Sequence, residues 1–198
     1  MSADDAEFDA DAWARELVEH RERKDEFFAD HPQSPLPEAD KPDFEGLTYY
    51  DPDPSFRVPA RVEQQDGADG IELEMTGGEP REYERVARLA FELGGEEREL
   101  YAYRQAEAQD GDGDDTGPTT LFVPFRDGTT GDTTYGAGRY MEFEVEGPLA
   151  AAEELPLDFN LAYHPFCVYN EAFACPLAPP ENTLDVRVTA GERLARSL

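Results

Sequence analysis

The stretch Arg88-Leu89-Ala90-Phe91-Glu92-Leu93-Gly94-Gly95-Glu96-Glu97-Arg98-Glu99-Leu100-Tyr101-Ala102-Tyr103-Arg104 reads as two strands joined by a tight turn. Leu89, Phe91 and Leu93 alternate with Arg88, Ala90 and Glu92, the period of a strand with one face buried. The turn Gly94-Gly95-Glu96-Glu97 leads into a second run around Leu100 to Arg104, which makes this the strongest hairpin signal in the chain. Val86, Leu89 and Leu93 also satisfy a helical period, so residues 81–93 alone leave helix and strand open.

Working outward settles the choice. Period-two patterning recurs at Phe56 to Glu63, with Pro59 pushing that run towards an edge or bulge, and at Ile71 to Met75, which ends at Gly77-Gly78. Further strands are predicted at Thr119 to Phe125, Arg139 to Val145, Asp158 to Tyr163 and Leu184 to Val188. Strands at this spacing, without intervening helices, predict a mainly β fold: an antiparallel sandwich or barrel with an N-terminal amphipathic helix, α+β being the alternative. The helix is expected over 9–30, where Trp13, Leu17 and Phe27-Phe28 form a stripe interrupted by Lys24. Asp9 or Asp11 can cap its start, and Pro32, Pro35 and Pro37 prevent its continuation. The expected organisation is one domain over 1–198, with a disordered start at 1–8, the helix at 9–30 and a β domain over 47–190.

The chain has 198 residues, with 46 acidic side chains against 17 basic ones and a net charge of -29. Nucleic acid and anionic membranes are excluded as partners on this balance, because phosphate binding needs clustered Lys and Arg. Only Lys24 and Lys41 among the basic residues are lysine. Such a surface repels itself in dilute buffer, and at molar salt the screening length falls to roughly 3 Å. The composition therefore points to a salt-accumulating cytoplasm of the haloarchaeal type. The acidic start lacks the basic and apolar regions of a signal peptide, and the 12-residue uncharged run from Phe159 to Asn170 is too short to span a bilayer. A soluble, cytoplasmic protein is expected.

The acids also serve as a burial map. Residues 1–117 carry a net charge of -22, whereas residues 118–140 hold only Asp127 and Asp132 against Arg126 and Arg139. Residues 157–183 hold only Asp158, Glu171 and Glu181. A hydrated face does not account for two such gaps; burial or a binding site does. The two stretches are expected to meet around a common hollow.

Arg126 and Arg139, with backbone N–H groups of Gly128 to Gly138, can grip a carboxylate or phosphate; the alternative is that each pairs with Asp127, Asp132 or Asp158 inside the fold. On an extended Asp158 to His164, one face would carry Asp158, Asn160 and His164, offering a base and an amide; the alternative is a half-buried strand with structural hydrogen bonds. Asp158 and Glu181 are the acid/base candidates, and Tyr163, Glu181 and Asn182 extend the ligand-binding set. Cys167 and Cys175, spaced C-x7-C, lack zinc-site spacing and read as inert buried thiols. The run Asp110 to Asp115 fails the EF-hand pattern and reads as an acidic hairpin insertion. No metal site is expected, and no cofactor is implied.

Two blocks carry a resemblance. Pro124-Phe125-Arg126-Asp127 with Gly131-Asp132-Thr133-Thr134-Tyr135-Gly136-Ala137-Gly138-Arg139-Tyr140 is similar to the central signature of the DUF1684 family. So is Asp158-Phe159-Asn160-Leu161-Ala162-Tyr163-His164-Pro165, followed by Cys167, Tyr169-Asn170, Cys175-Pro176-Leu177, Pro180-Glu181-Asn182 and Ala190-Gly191-Glu192. The family pattern has asparagine where this chain has His164. The resemblance implies a shared site without naming a reaction. The leading expectation is a protein binding a small polar or anionic molecule in a pocket built from 124–140 and 158–182. The alternatives are a hydrolase-type enzyme and a structural protein with a buried polar network.

Overall fold

The computed structural model describes residues 8–65, 70–105, 119–145 and 147–195. The acidic run 110–115 and the first seven residues lie outside them. The chain divides into two compact units, Met1–Leu47 and Thr48–Leu198.

The first unit holds helix α1, Ala10–Asp30. Asp9 caps it by accepting from the N–H groups of Asp11 and Ala12, both at 3.0 Å. These are two of the donors that a helix start leaves without intrahelical partners. Leu17 and Phe28 are its buried residues, on the stripe expected from the sequence. Phe28 stacks on Phe44 at 6.0 Å, and Asp25 accepts from the Leu47 N–H, so the chain after the helix folds back along it.

The second unit is built on one curled, seven-stranded antiparallel sheet: β1 Arg57–Gln64, β2 Gly70–Leu73, β3 Arg81–Leu93, β4 Glu96–Gln105, β5 Thr119–Phe125, β6 Arg139–Val145 and β7 Glu154–Asp158. The order is β6-β5-β4-β3-β1-β7, and β2 shares the β1 edge of β3. The mainly β expectation holds, in the form of a half-barrel. The decisive hairpin is β3–β4, with Leu93 opposite Glu96 and a two-residue turn at Gly94 (φ +67°) and Gly95 (φ +81°). Both turn residues have left-handed backbone, as a type I′ connection requires. A bulge between Arg85 and Ala87 divides β3 into a part paired with β2 and a part paired with β1.

The concave face is lined by Leu89, Phe91, Leu100, Ala102, Leu121, Val123, Phe125 and Met141. Phe159, Leu184, Val188 and Ala190 pack into it from the C-terminal half of the chain. Tyr83, Tyr103 and Leu73 form a separate cluster, with Phe122 against it.

Two expected strands differ. Asp158 to Tyr163 is not extended: β7 ends at Asp158, and Phe159–Leu161 is one turn of 3-10 helix capped by the Asp158 side chain, which accepts from the Asn160 N–H. The alternating-face argument for Asp158, Asn160 and His164 therefore fails, since a 3-10 turn does not alternate. Leu184 to Val188 runs beside Arg126–Gly128 and exchanges ladder-like bonds with it: Leu184 N–H donates to Arg126 C=O, and Gly128 N–H to Val186 C=O. It does not become a regular strand, because side chains then replace the partner backbone. The Val188 N–H donates to Asp127, and the Val188 and Ala190 carbonyls accept from Arg139.

Candidate functional site

The two carboxylate-poor stretches meet through several contacts among the described residues. Tyr140 and Tyr163 exchange both backbone hydrogen bonds, at 2.8 and 2.9 Å, with their rings edge to face. The Tyr135 N–H donates to His164 Nε2 at 3.3 Å. The Arg126 N–H donates to Asn182 C=O at 2.9 Å.

Arg139, the first residue of β6, is fully buried beside Asp127. Its guanidinium donates to the carbonyls of Val188, Ala190 and Glu192 and pairs with Asp127 at 3.4 Å. Burial pulls its pKa down, and the Asp127 charge opposes that. Asp127 in turn accepts from the N–H groups of Thr129 and Val188. This pair ties the C-terminal segment to the sheet.

Arg126 differs. Its side chain is half-buried and is engaged in no ion pair among the described residues, and its buried Nε finds no hydrogen-bond partner there. The neighbouring loop does not offer the row of free N–H groups the sequence suggested. Those of Thr130, Gly131, Asp132, Thr133, Thr134 and Gly138 donate to carbonyls within the loop, and that of Gly128 donates to Val186.

The other expected site residues are held by separate neighbours. Asn160 accepts from the Asp53 N–H and donates to the Asp53 C=O, while Asp158 sits 3.9 Å from Arg57. Asn182 accepts from the Tyr101 N–H and donates to the Tyr101 and Pro124 carbonyls, bridging β4 and β5. Glu181 pairs with Arg85 and accepts from the Tyr103 phenol at 3.1 Å. Burial and this carboxylate push the Tyr103 phenol up, and burial with nearby Glu142 does the same for Tyr163. Asp158 and Asn160 thus belong to one cluster, Glu181 and Asn182 to a second, Arg139 to a third.

The sequence reading missed Glu192 as a candidate side chain. It is buried, accepts from the His164 N–H at 2.7 Å and the Tyr169 phenol at 3.2 Å, and faces His164 Nδ1 at 3.6 Å. Because His164 Nε2 accepts from Tyr135, the neutral ring carries its proton on Nδ1, towards Glu192. The signal was the Gly191-Glu192 pair in the family signature. Gly191 has φ +76°, and a Cβ there would lie 2.5 Å from the Ala162 carbonyl oxygen, so the backbones must touch where Glu192 enters.

A cleft of about 710 Å³ opens where these stretches face residues 76–78. Tyr135, Cys167, Glu171 and Phe173 are among the residues that line it, together with Thr76. Among these, Thr76 is held by Cys175: its N–H donates to the Cys175 carbonyl and its Oγ1 accepts from the Cys175 N–H. None of Arg126, Arg139, Asp158, Asn160, Tyr163, Glu181 or Asn182 lines it. Among the described residues no group of three or more His, Cys, Asp or Glu side chains is placed to hold a metal ion. No helix among them is long and apolar enough to cross a membrane.

A search of curated proteins returns no match. Among solved structures, the solution NMR structure of the uncharacterized protein from gene locus rrnAC0354 of Haloarcula marismortui is 47% identical. The match covers 93% of this chain and 95% of that one, with a TM-score of 0.71. The profile described as "Protein of unknown function (DUF1684)" matches residues 42–193, the span that contains the whole half-barrel, its C-terminal plug and the cleft, and the chain belongs to the DUF1684 family.

Proposed function

We propose that this protein binds a small polar molecule, neutral or cationic, in the cleft walled by Tyr135, Cys167, Glu171 and Phe173. One observation carries the reading. The cleft lies where the two carboxylate-poor stretches converge, and its volume is in the range of small-molecule sites. Its wall has one carboxylate and no lysine or arginine, which favours a neutral or cationic guest over an anion. The phenol of Tyr135 and the hydroxyl of Thr76 supply directional contacts, and the Phe173 ring supplies an apolar face.

A second reading, an anion held by Arg126, is favoured by the absence of a side-chain partner for that guanidinium among the described residues. The two are separable. Thermal unfolding in concentrated KCl, with panels of neutral polyols, amines and carboxylates, should show stabilisation by a member of the first two classes. Ala172→Trp, which fills the cleft, should remove it. Ligand at 100 times its Kd adds about 2.7 kcal/mol. Stabilisation by carboxylates alone, lost in Arg126→Ala and kept in Ala172→Trp, would transfer the function to Arg126. Response to no class would remove both.

A further inference from the structure

We propose that the guest of the cleft is a small methylated ammonium compound, its cationic head held by the Phe173 ring and the Glu171 carboxylate. This rests on the cleft binding a small molecule and adds the charge and chemical class of that molecule. Both residues stand on one turn. The Phe173 N–H donates to the Asn170 carbonyl at 3.1 Å, and the Ala172 N–H donates to Asn170 Oδ1 at 3.0 Å. The turn thus fixes the backbone that carries Glu171 and Phe173 along the cleft. Phe173 is 37% exposed, one of few large apolar side chains left so open among the described residues. Its ring meets that of Phe166 edge to face, with centroids 5.5 Å apart, so it is held in place without being covered. Glu171 is exposed, and no lysine or arginine lies among the lining residues or anywhere in 157–183 to neutralise it.

An unneutralised carboxylate beside an open aromatic ring selects a cation, and the remaining lining selects its kind. A primary ammonium drawn from water needs acceptors for its three N–H donors. Val168 and Ala172, beside Phe173, bring no polar side-chain atom, and Thr76 Oγ1 already accepts from the Cys175 N–H. A fully methylated head has no N–H to satisfy, and an aromatic face attracts its charge. The Tyr135 phenol in the same lining is left for a polar tail. The selection is local to the cleft. At molar salt the screening length is roughly 3 Å, which removes the diffuse pull of the acidic surface and leaves only charges in contact.

The test uses the full chain in concentrated KCl and three probes: choline, its uncharged isostere 3,3-dimethyl-1-butanol, and its unmethylated counterpart ethanolamine. Dissociation constants come from NMR titration of the backbone amides. Choline should bind about fivefold or more tightly than either of the others. Phe173→Leu, which keeps apolar bulk without the ring, and Glu171→Gln should each lose most of that preference. Circular dichroism confirms that both variants, altered at exposed positions, stay folded. Ala172→Trp should weaken all three probes alike. Equal affinity for choline and the isostere, tighter binding of ethanolamine, or a preference unchanged in Phe173→Leu would each overturn the ammonium proposal while leaving a small-molecule cleft in place. So would silence towards all three probes in a protein that a polyol or another amine stabilises. Silence towards every class would overturn the cleft reading as well.

Discussion

Arg139 and Asp127 face each other at 3.4 Å with both charges withdrawn from water, and together they hold the backbone from Val188 to Glu192. Removing one partner strands the other charge. Arg139→Met should therefore cost about 3–5 kcal/mol. Asp127→Leu combined with Arg139→Met should restore part of that loss, which urea midpoints in concentrated KCl would read. Equal stability of Arg139→Met and wild type would show that the pair does not anchor the segment.

Gly191 and Gly131 both have left-handed backbone, at φ +76° and +79°, but differ in surroundings. A Cβ on Gly191 meets two carbonyl oxygens closer than 3.0 Å, whereas one on Gly131 meets nothing within 4 Å. Gly131→Ala should lose about 1 kcal/mol from backbone strain alone. Gly191→Ala should lose clearly more, because the Ala162 and Phe159 carbonyls must move. Matching thermal midpoints for the two variants would refute the close-approach argument.

Stability should fall as pH rises from 9 towards 11. Burial pushes the Cys175 thiol up to about 11, and raises the phenols of Tyr83, Tyr103, Tyr140 and Tyr163 from an ordinary value of 10.0. Each group is neutral when protonated, and the unfolded chain ionises first. Their contribution is complete below the unfolded values and is lost as pH rises through the folded ones. Cys175→Ser should flatten the part of the slope between pH 9 and 10. An unchanged urea midpoint from pH 8 to 11 in wild type would contradict the burial of these groups.

A net charge of -29 on 198 residues predicts a salt requirement. Far-ultraviolet circular dichroism should show loss of the sheet signal below about 1 M KCl, where screening no longer covers neighbouring carboxylates. A spectrum unchanged in 50 mM KCl would count against that requirement.

Asn182 makes three hydrogen bonds from a fully buried amide, two to Tyr101 and one to Pro124. Asn182→Ala leaves those backbone groups without partners, at about 1–3 kcal/mol each. The loss should exceed that of Glu181→Ala, whose part-exposed pairing with Arg85 is screened by solvent. The reverse order in denaturation midpoints would mean that the amide is not the bridge between β4 and β5.

The amino-acid sequence by itself determined the hairpin, the mainly β class and the N-terminal helix, and narrowed its cap to Asp9 or Asp11. These rest on local period, turn chemistry and backbone freedom, which neighbouring residues set. It also marked the two stretches that meet, because carboxylates become scarce where the chain is sheltered from water. Tertiary structure decided the rest. Asp158 to Tyr163 read as extended until its own capping carboxylate turned it into a 3-10 turn. Arg126 and Arg139 look alike in sequence, yet one is enclosed by Asp127 and three carbonyls while the other lacks a side-chain partner among the described residues. The cleft drew most of its wall from residues whose types announce nothing, since a concavity arises from where distant backbones stop, and no local pattern records that.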